Sequence, residues 1–277
     1  MSLVMVPLDF SETAMCALKS GIAIANKLKA NLRIVHVCPS GNYASGFESV
    51  EGEEHDPEQM LERIIKENTQ KYYGGGTFDY KLRKGNVTQE LINQCKYDDA
   101  TIVVAGSHGV SGITKSWIGG NAYKLICNIE CPLLLIRPDM QYNENFQRIA
   151  IPVELKKSSR YKIPIVAGVA KLFGAKATVI GIQNSSFKSI LTRITVSIGQ
   201  VEKYLTKRAN VEVEKSIMIS GKDVAGSFIE AIADSKADMV AIDVTNTGSF
   251  IADRFRPFLT SIVNNSKCPV LAIPIKD

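Results

Sequence analysis

The stretch Ala105-Gly106-Ser107-His108-Gly109-Val110-Ser111-Gly112-Ile113-Thr114-Lys115-Ser116-Trp117-Ile118-Gly119-Gly120-Asn121 decides how the chain is read. The apolar run Thr101 to Ala105 leads into it, and Ala122 to Cys127 follows with helical character. A buried strand therefore ends in a glycine-rich loop, and the loop ends at a helix start. Glycines let backbone approach an anion closely, and a helix N-terminus offers unpaired N–H groups and the positive end of the peptide dipoles. The pattern alone leaves two readings open: a phosphate cradle, or a surface loop whose glycines only relieve the backbone.

On the N-terminal side, residues 3–8 form an apolar run that ends at Pro7-Leu8-Asp9. Ser11 is placed to cap a helix from Glu12 to about Leu28. Strands follow at Leu32 to Val37 and Phe78 to Leu82, and helices at Glu58 to Tyr73 and Val87 to Cys95. Gly41 to Pro57, rich in glutamate, reads as a mobile loop beside the mouth of the site. Cys131-Pro132 opens a fifth strand, Leu133 to Arg137. Strands alternating with helices argue for a parallel sheet covered by helices on both faces.

The pattern then restarts. Ala150-Ile151-Pro152-Val153-Glu154 echoes Met5-Val6-Pro7-Leu8-Asp9, and Lys267-Cys268-Pro269-Val270 echoes Glu130-Cys131-Pro132-Leu133. A repeat this long is a duplicated domain. The expected division is 1–140 and 146–277, with a polar joint from Asp139 to Asn145.

With 277 residues the chain has room for two such domains. A formal net charge of +5 is spread along it, which points to neither nucleic acid nor a membrane surface. No apolar run reaches the ~18 residues of a membrane span, and the first residues do not form a signal peptide. A soluble, cytoplasmic protein is expected. The six cysteines contain no Cys-x-x-Cys pair and read as buried, reduced thiols. Three histidines, His36, His55 and His108, show no metal-ligand spacing. His36 reads as a packed strand residue, whereas His108 lies in the glycine-rich loop. No Gly-x4-Gly-Lys-Ser/Thr run is present, nor Gly-x-Gly-x-x-Gly after the first strand, nor a Gly-x-Ser-x-Gly elbow.

The spacing Gly106-x2-Gly109-x9-Gly119, with Pro7-Leu8-Asp9, resembles the nucleotide-binding universal stress proteins, in tandem over essentially the whole chain. The resemblance implies two α/β domains, each a five-stranded parallel sheet in the order 3-2-1-4-5. It implies a site at the carboxyl ends of the strands, where the winding reverses. By resemblance, Pro7, Leu8 and Asp9 face the ribose and adenine, and the backbone of Val37 meets the adenine. Ala105, Gly106, His108, Gly109, Gly119, Gly120 and Asn121 wrap the ribose and phosphates. The ligand implied is ATP, with AMP or ADP and bound Mg as further candidates. The family's Ser or Thr after the third glycine is Gly120 here, which removes a hydroxyl donor.

Cys131 and Cys268 stand 137 positions apart (131 against 268), and the same shift carries Gly106, Gly109, Gly119 and Gly120 onto Asp243, Asn246, Arg256 and Pro257. The second half therefore departs from the nucleotide pattern and reads as a structural partner. The expected function is a stress-response regulator that binds nucleotide in its first domain and is not an enzyme. A nucleotide-free scaffold and a slow ATPase are the alternatives. Single-domain members of the family associate through the fifth strand, so the resemblance implies an internal pseudo-dimer. A second copy of the chain is a further candidate partner.

Overall fold

The structure, a computed structural model, describes residues 1–39, 56–107, 120–140, 145–183, 187–220, 223–245 and 256–275. The chain divides into two compact units, Met1–Pro138 and Asp139–Asp277. The expectations for the acidic loop, for His108, Gly109 and Gly119, and for Asn246 lie outside the described residues.

The first unit contains β1 (Leu3–Pro7), α1 (Glu12–Leu28), β2 (Asn31–Pro39), α2 (Pro57–Asn68), β3 (Phe78–Gly85), α3 (Val87–Tyr97), β4 (Ile102–Gly106), α4 (Gly120–Asn128) and β5 (Leu133–Ile136). Its strands are parallel and lie in the order β3-β2-β1-β4-β5. The winding reverses between β1 and β4. Right-handed crossovers on either side of that reversal put helices on both faces of the sheet. Strands β1, β4 and β5 are continuous apolar runs because both faces are covered, whereas β3 at the end of the order is polar and largely exposed.

Local chemistry sets the element ends. Ser11 caps α1, its Oγ accepting from the Ala14 N–H at 3.2 Å. Asp56 caps α2 with Pro57 as first helical residue, and Asn86 caps α3 by accepting from the Gln89 N–H. Small residues let α1 press closely on the sheet. A Cβ on Gly21 would stand 2.5 Å from Val6 Cγ2 on β1. At the amino-terminal side, Arg33 of β2 forms a two-pronged pair with Asp79 of β3 and reaches Asp98 after α3.

The second unit repeats the plan with β6 (Arg148–Val153), α5 (Ile163–Phe173), β7 (Lys176–Gln183), α6 (Lys188–Lys203), β8 (Val213–Ser220), α7 (Val224–Asp234), β9 (Met239–Thr245), α8 (Arg256–Asn265) and β10 (Val270–Ile275). Its strands are also parallel, in the order β8-β7-β6-β9-β10. In both units the order is 3-2-1-4-5 in terms of that unit's own strands.

Candidate functional site

In the first unit the reversal point lies at the carboxyl ends of β1 and β4. Met5 pairs with Val103 in register, so Pro7, Leu8 and Asp9 come out beside Ala105, Gly106 and Ser107. Pro7 pairs with Val35, and β2 runs on to Pro39, which carries Val37 past the end of β1 along the same rim.

The turn after β1 is held from two sides. Asp9 Oδ1 accepts from the Ser11 N–H at 3.1 Å and from the Ser11 hydroxyl at 2.6 Å, so the helix cap also orients the carboxylate. Phe10 takes a left-handed backbone conformation with φ 62°, uncommon for a residue of its size. Its ring lies over His36, with centroids 4.6 Å apart.

His36 is buried, and its Nδ1 is 2.7 Å from the Leu8 carbonyl oxygen. Burial pushes its pKa below the ordinary value, outweighing the bond to Leu8 and the charge of Asp9. The imidazole is therefore neutral at pH 7, and Nδ1–H donates to Leu8. His36 is a positioning residue for the Asp9 turn, and the strand reading of it as packed agrees with this placement.

A pH dependence follows. Between the lowered folded value and the ordinary 6.5, the unfolded chain binds more protons at His36 than the folded chain does. The contribution of neutral His36 is present above pH 6.5 and is lost as pH falls through the folded value. The destabilisation caused by His36→Gln, measured by urea unfolding, is expected to shrink between pH 7.5 and pH 5.5. A constant difference would contradict the assignment.

Gly106 ends β4 against α1. A Cβ there would stand 2.6 Å from Thr13 Cγ2 and 3.2 Å from the Thr13 carbonyl carbon. Only glycine lets the helix start approach this strand end. Gly106 thus has a packing role whether or not a ligand is bound. Gly106→Ala is expected to cost about 1–3 kcal/mol in nucleotide-free protein, read from its urea midpoint.

At the start of α4, Thr88 Oγ1 of α3 donates to Asn121 Oδ1 at 3.2 Å. Thr88 is buried and Asn121 exposed. With its carboxamide oxygen taken, Asn121 has its NH2 group to offer beside the N-terminus of α4. Thr88 belongs to no motif. Only the strand order, which brings α3 beside α4, could have pointed to it.

The strand registers therefore bring together Pro7, Leu8, Asp9, Val37, Ala105 and Gly106 at one rim, while Asn121, at the start of α4, is held by Thr88 of α3. Gly120 is the first residue of α4. The donors offered by this cluster are neutral amides, which suit an anion or a nucleoside edge.

The equivalent place in the second unit is filled by its own side chains. Lys162, fully buried, donates from Nζ to Asp243 Oδ1 at 2.5 Å. Glu154 follows β6, and its backbone N–H donates to Ser159 Oγ. Burial first, and then the charge of Asp243, pushes the Glu154 carboxyl up, with Lys162 partly opposing. The shift of 137 carries Thr88 onto Ala225, Leu91 onto Phe228 and Asn121 onto Phe258. The rings of Phe228 and Phe258 meet at 5.6 Å between centroids, so an aromatic contact replaces the polar Thr88–Asn121 latch.

No group of histidine, cysteine and carboxylate side chains that could hold a metal ion occurs among the described residues. No helix among them is long and apolar enough to cross a membrane. All six cysteines are free thiols, but only Cys95 and Cys268 are buried. Cys16, Cys38, Cys127 and Cys131 are partly exposed, because each sits where its strand, helix or turn reaches the surface.

Residues 1–137 match the model of the universal stress protein family. The universal stress protein YxiE of Bacillus subtilis is 25% identical over 145 residues, covering 48% of this chain and 97% of the relative. A universal stress protein of Synechocystis is 22% identical over 151 residues, covering 48% of this chain and 96% of the relative. The crystal structure of a universal stress protein from Archaeoglobus fulgidus superposes with a TM-score of 0.73 at 16% identity, covering 98% of each chain. That last likeness is one of fold.

Proposed function

Because the chain belongs to the universal stress protein family, through the match of residues 1–137, we propose that it is a nucleotide-responsive regulator with a single site in its first unit. The site takes an adenine nucleotide of the ATP type, AMP and ADP being the same class. Asp9 and the Val37 backbone serve the nucleoside. Gly106, Gly109, Gly119, Gly120 and Asn121 serve the phosphates, with His108 in the same loop.

The observation that carries this reading is the contrast between the two reversal points. The first presents small residues, backbone amides and the Asn121 carboxamide, with Asp9 held at the rim. The second carries a buried Lys162–Asp243 pair and a phenylalanine contact in the corresponding positions. Two carboxylates, Glu154 and Asp243, would also face a phosphate chain there, and like charge at close range is unfavourable.

Turnover is not part of the proposal. His36 Nδ1, on the Asp9 turn, is committed to the Leu8 carbonyl and is not available there as a base. Bound nucleotide would set a conformation that a partner protein reads.

Calorimetric titration of the full chain with ATP, with and without Mg, tests this. One site per chain is expected, with the nucleotide recovered intact after incubation. Two sites would overturn the contrast between the units, phosphate release would make the protein an ATPase, and no heat would leave a scaffold.

A further inference from the structure

We propose that Cys95 and Cys131 are a peroxide-oxidisable pair that forms a reversible disulfide within the first unit. Their Sγ atoms lie 2.9 Å apart although the residues are 36 positions apart in sequence. Both are free thiols. A disulfide needs about 2.05 Å between sulfurs, so closure asks for a movement of under about 1 Å. Cys131 precedes β5 in an irregular turn, where such a movement meets least resistance. Cys95 lies on the last turn of α3 and is buried, while Cys131 is partly exposed and gives a small oxidant its approach.

The chemistry balances with a hydroperoxide as oxidant. The two sulfurs share one S–H···S contact in which either can donate; that contact pushes the Cys95 thiol down and the Cys131 thiol up, which favours the thiolate on Cys95. The Cys95 thiolate attacks one peroxide oxygen and becomes a sulfenic acid, while the other oxygen, once protonated, leaves as water. The Cys131 sulfur then attacks the Cys95 sulfur, forming the S–S bond and releasing a second water. Two thiols are oxidised and one peroxide is reduced.

The duplication supplies an internal control. Cys268 occupies the place of Cys131 in the second unit, again before a proline, but the residue in place of Cys95 is Ile232. Cys268 is buried, its thiol pushed up to about 11 chiefly by that burial. One unit has the pair and the other has half of it.

The bond would have a defined mechanical meaning. It encloses β4, the glycine-rich loop and α4 in one covalent ring. Helix α3 already holds Asn121 through Thr88, so oxidation would tie the same helix to the far end of α4's segment as well.

Peptide mapping of the reduced full chain after hydrogen peroxide, with free thiols alkylated and no reductant added, tests it. The expected product is a cross-linked Cys95–Cys131 peptide lighter by two hydrogens, reversible by dithiothreitol, with Cys268 recovered as the alkylated thiol. Recovery of Cys95 and Cys131 as separate alkylated or sulfinic peptides would overturn the proposal, as would their pairing mainly with other cysteines. In Cys131→Ser the cross-link should vanish and Cys95 should be trapped by dimedone as its sulfenic acid. An unmodified Cys95 in that variant would overturn the assigned order of steps. If that variant does not fold, the wild-type map alone decides.

Discussion

Lys162→Met is expected to destabilise the second unit by about 3–5 kcal/mol, the usual effect of removing one partner of a buried ion pair. Lys162 is fully buried, and its Nζ bonds Asp243 Oδ1 at 2.5 Å. Methionine would fill the space and leave the Asp243 carboxylate without its ammonium. The defect should also depend on pH. The Glu154 carboxyl already lies above its ordinary 4.5 in the folded chain, and Lys162 is a force holding it down. A raised folded value means stability that is present below the unfolded value and lost as pH rises through the folded one. Without Lys162 that loss grows, so the deficit against wild type should be larger at pH 8 than at pH 5. Lys162→Met/Asp243→Asn, which removes both charges, should recover much of the loss. Urea unfolding with hydrogen exchange read on second-unit peptides can measure all three chains. An equal loss in the single and double variants would show that the ion pair is not the cause.

Gly109→Val is expected to weaken ATP binding to the first unit by more than about 100-fold. The spacing Gly106-x2-Gly109-x9-Gly119 joins the end of β4 to the start of α4. A phosphate cradle depends on backbone N–H groups reaching the anion, and a β-branched side chain both fills that space and restricts the turn. Losing two hydrogen bonds to a charged group, at about 1.5–3 kcal/mol each, exceeds a hundredfold in affinity. Asn246→Val, at the corresponding place in the second unit, should leave affinity unchanged. Calorimetry on the two variants separates the outcomes, and undiminished binding in Gly109→Val would remove the loop from the site.

What could be read in advance follows the range of the interactions. The strands and helices of both units were legible because apolar runs, caps and the repeated Pro-x-acidic and Cys-Pro segments are local signals, whereas the strand order came from the family resemblance. Ser11 as a cap needed only its own helix. The cap's second task, orienting Asp9, is equally local. Lys162 was not legible. It ends the run Lys156-Lys157-Ser158-Ser159-Arg160-Tyr161-Lys162, which reads as a solvated cationic stretch ahead of a helix. Only the close approach of that stretch to the end of β9 buries one of its lysines. Thr88 with Asn121, and Cys95 with Cys131, likewise come together through the strand order and not through any motif.

The Lys162–Asp243 pair also bears on the history open to a duplicated chain. A copy that loses ligand binding by drift can regain it while the lost residues are replaceable one at a time. Here a glycine restored at position 243 would strand a buried ammonium, and a small neutral residue restored at 162 would strand a carboxylate. Each step back passes through a poorly folding intermediate. If, as proposed, only the first unit binds nucleotide, the pair would act as a ratchet: with both residues in place, specialisation of the two copies would be locked, and the second copy would be released to change its surface in other directions.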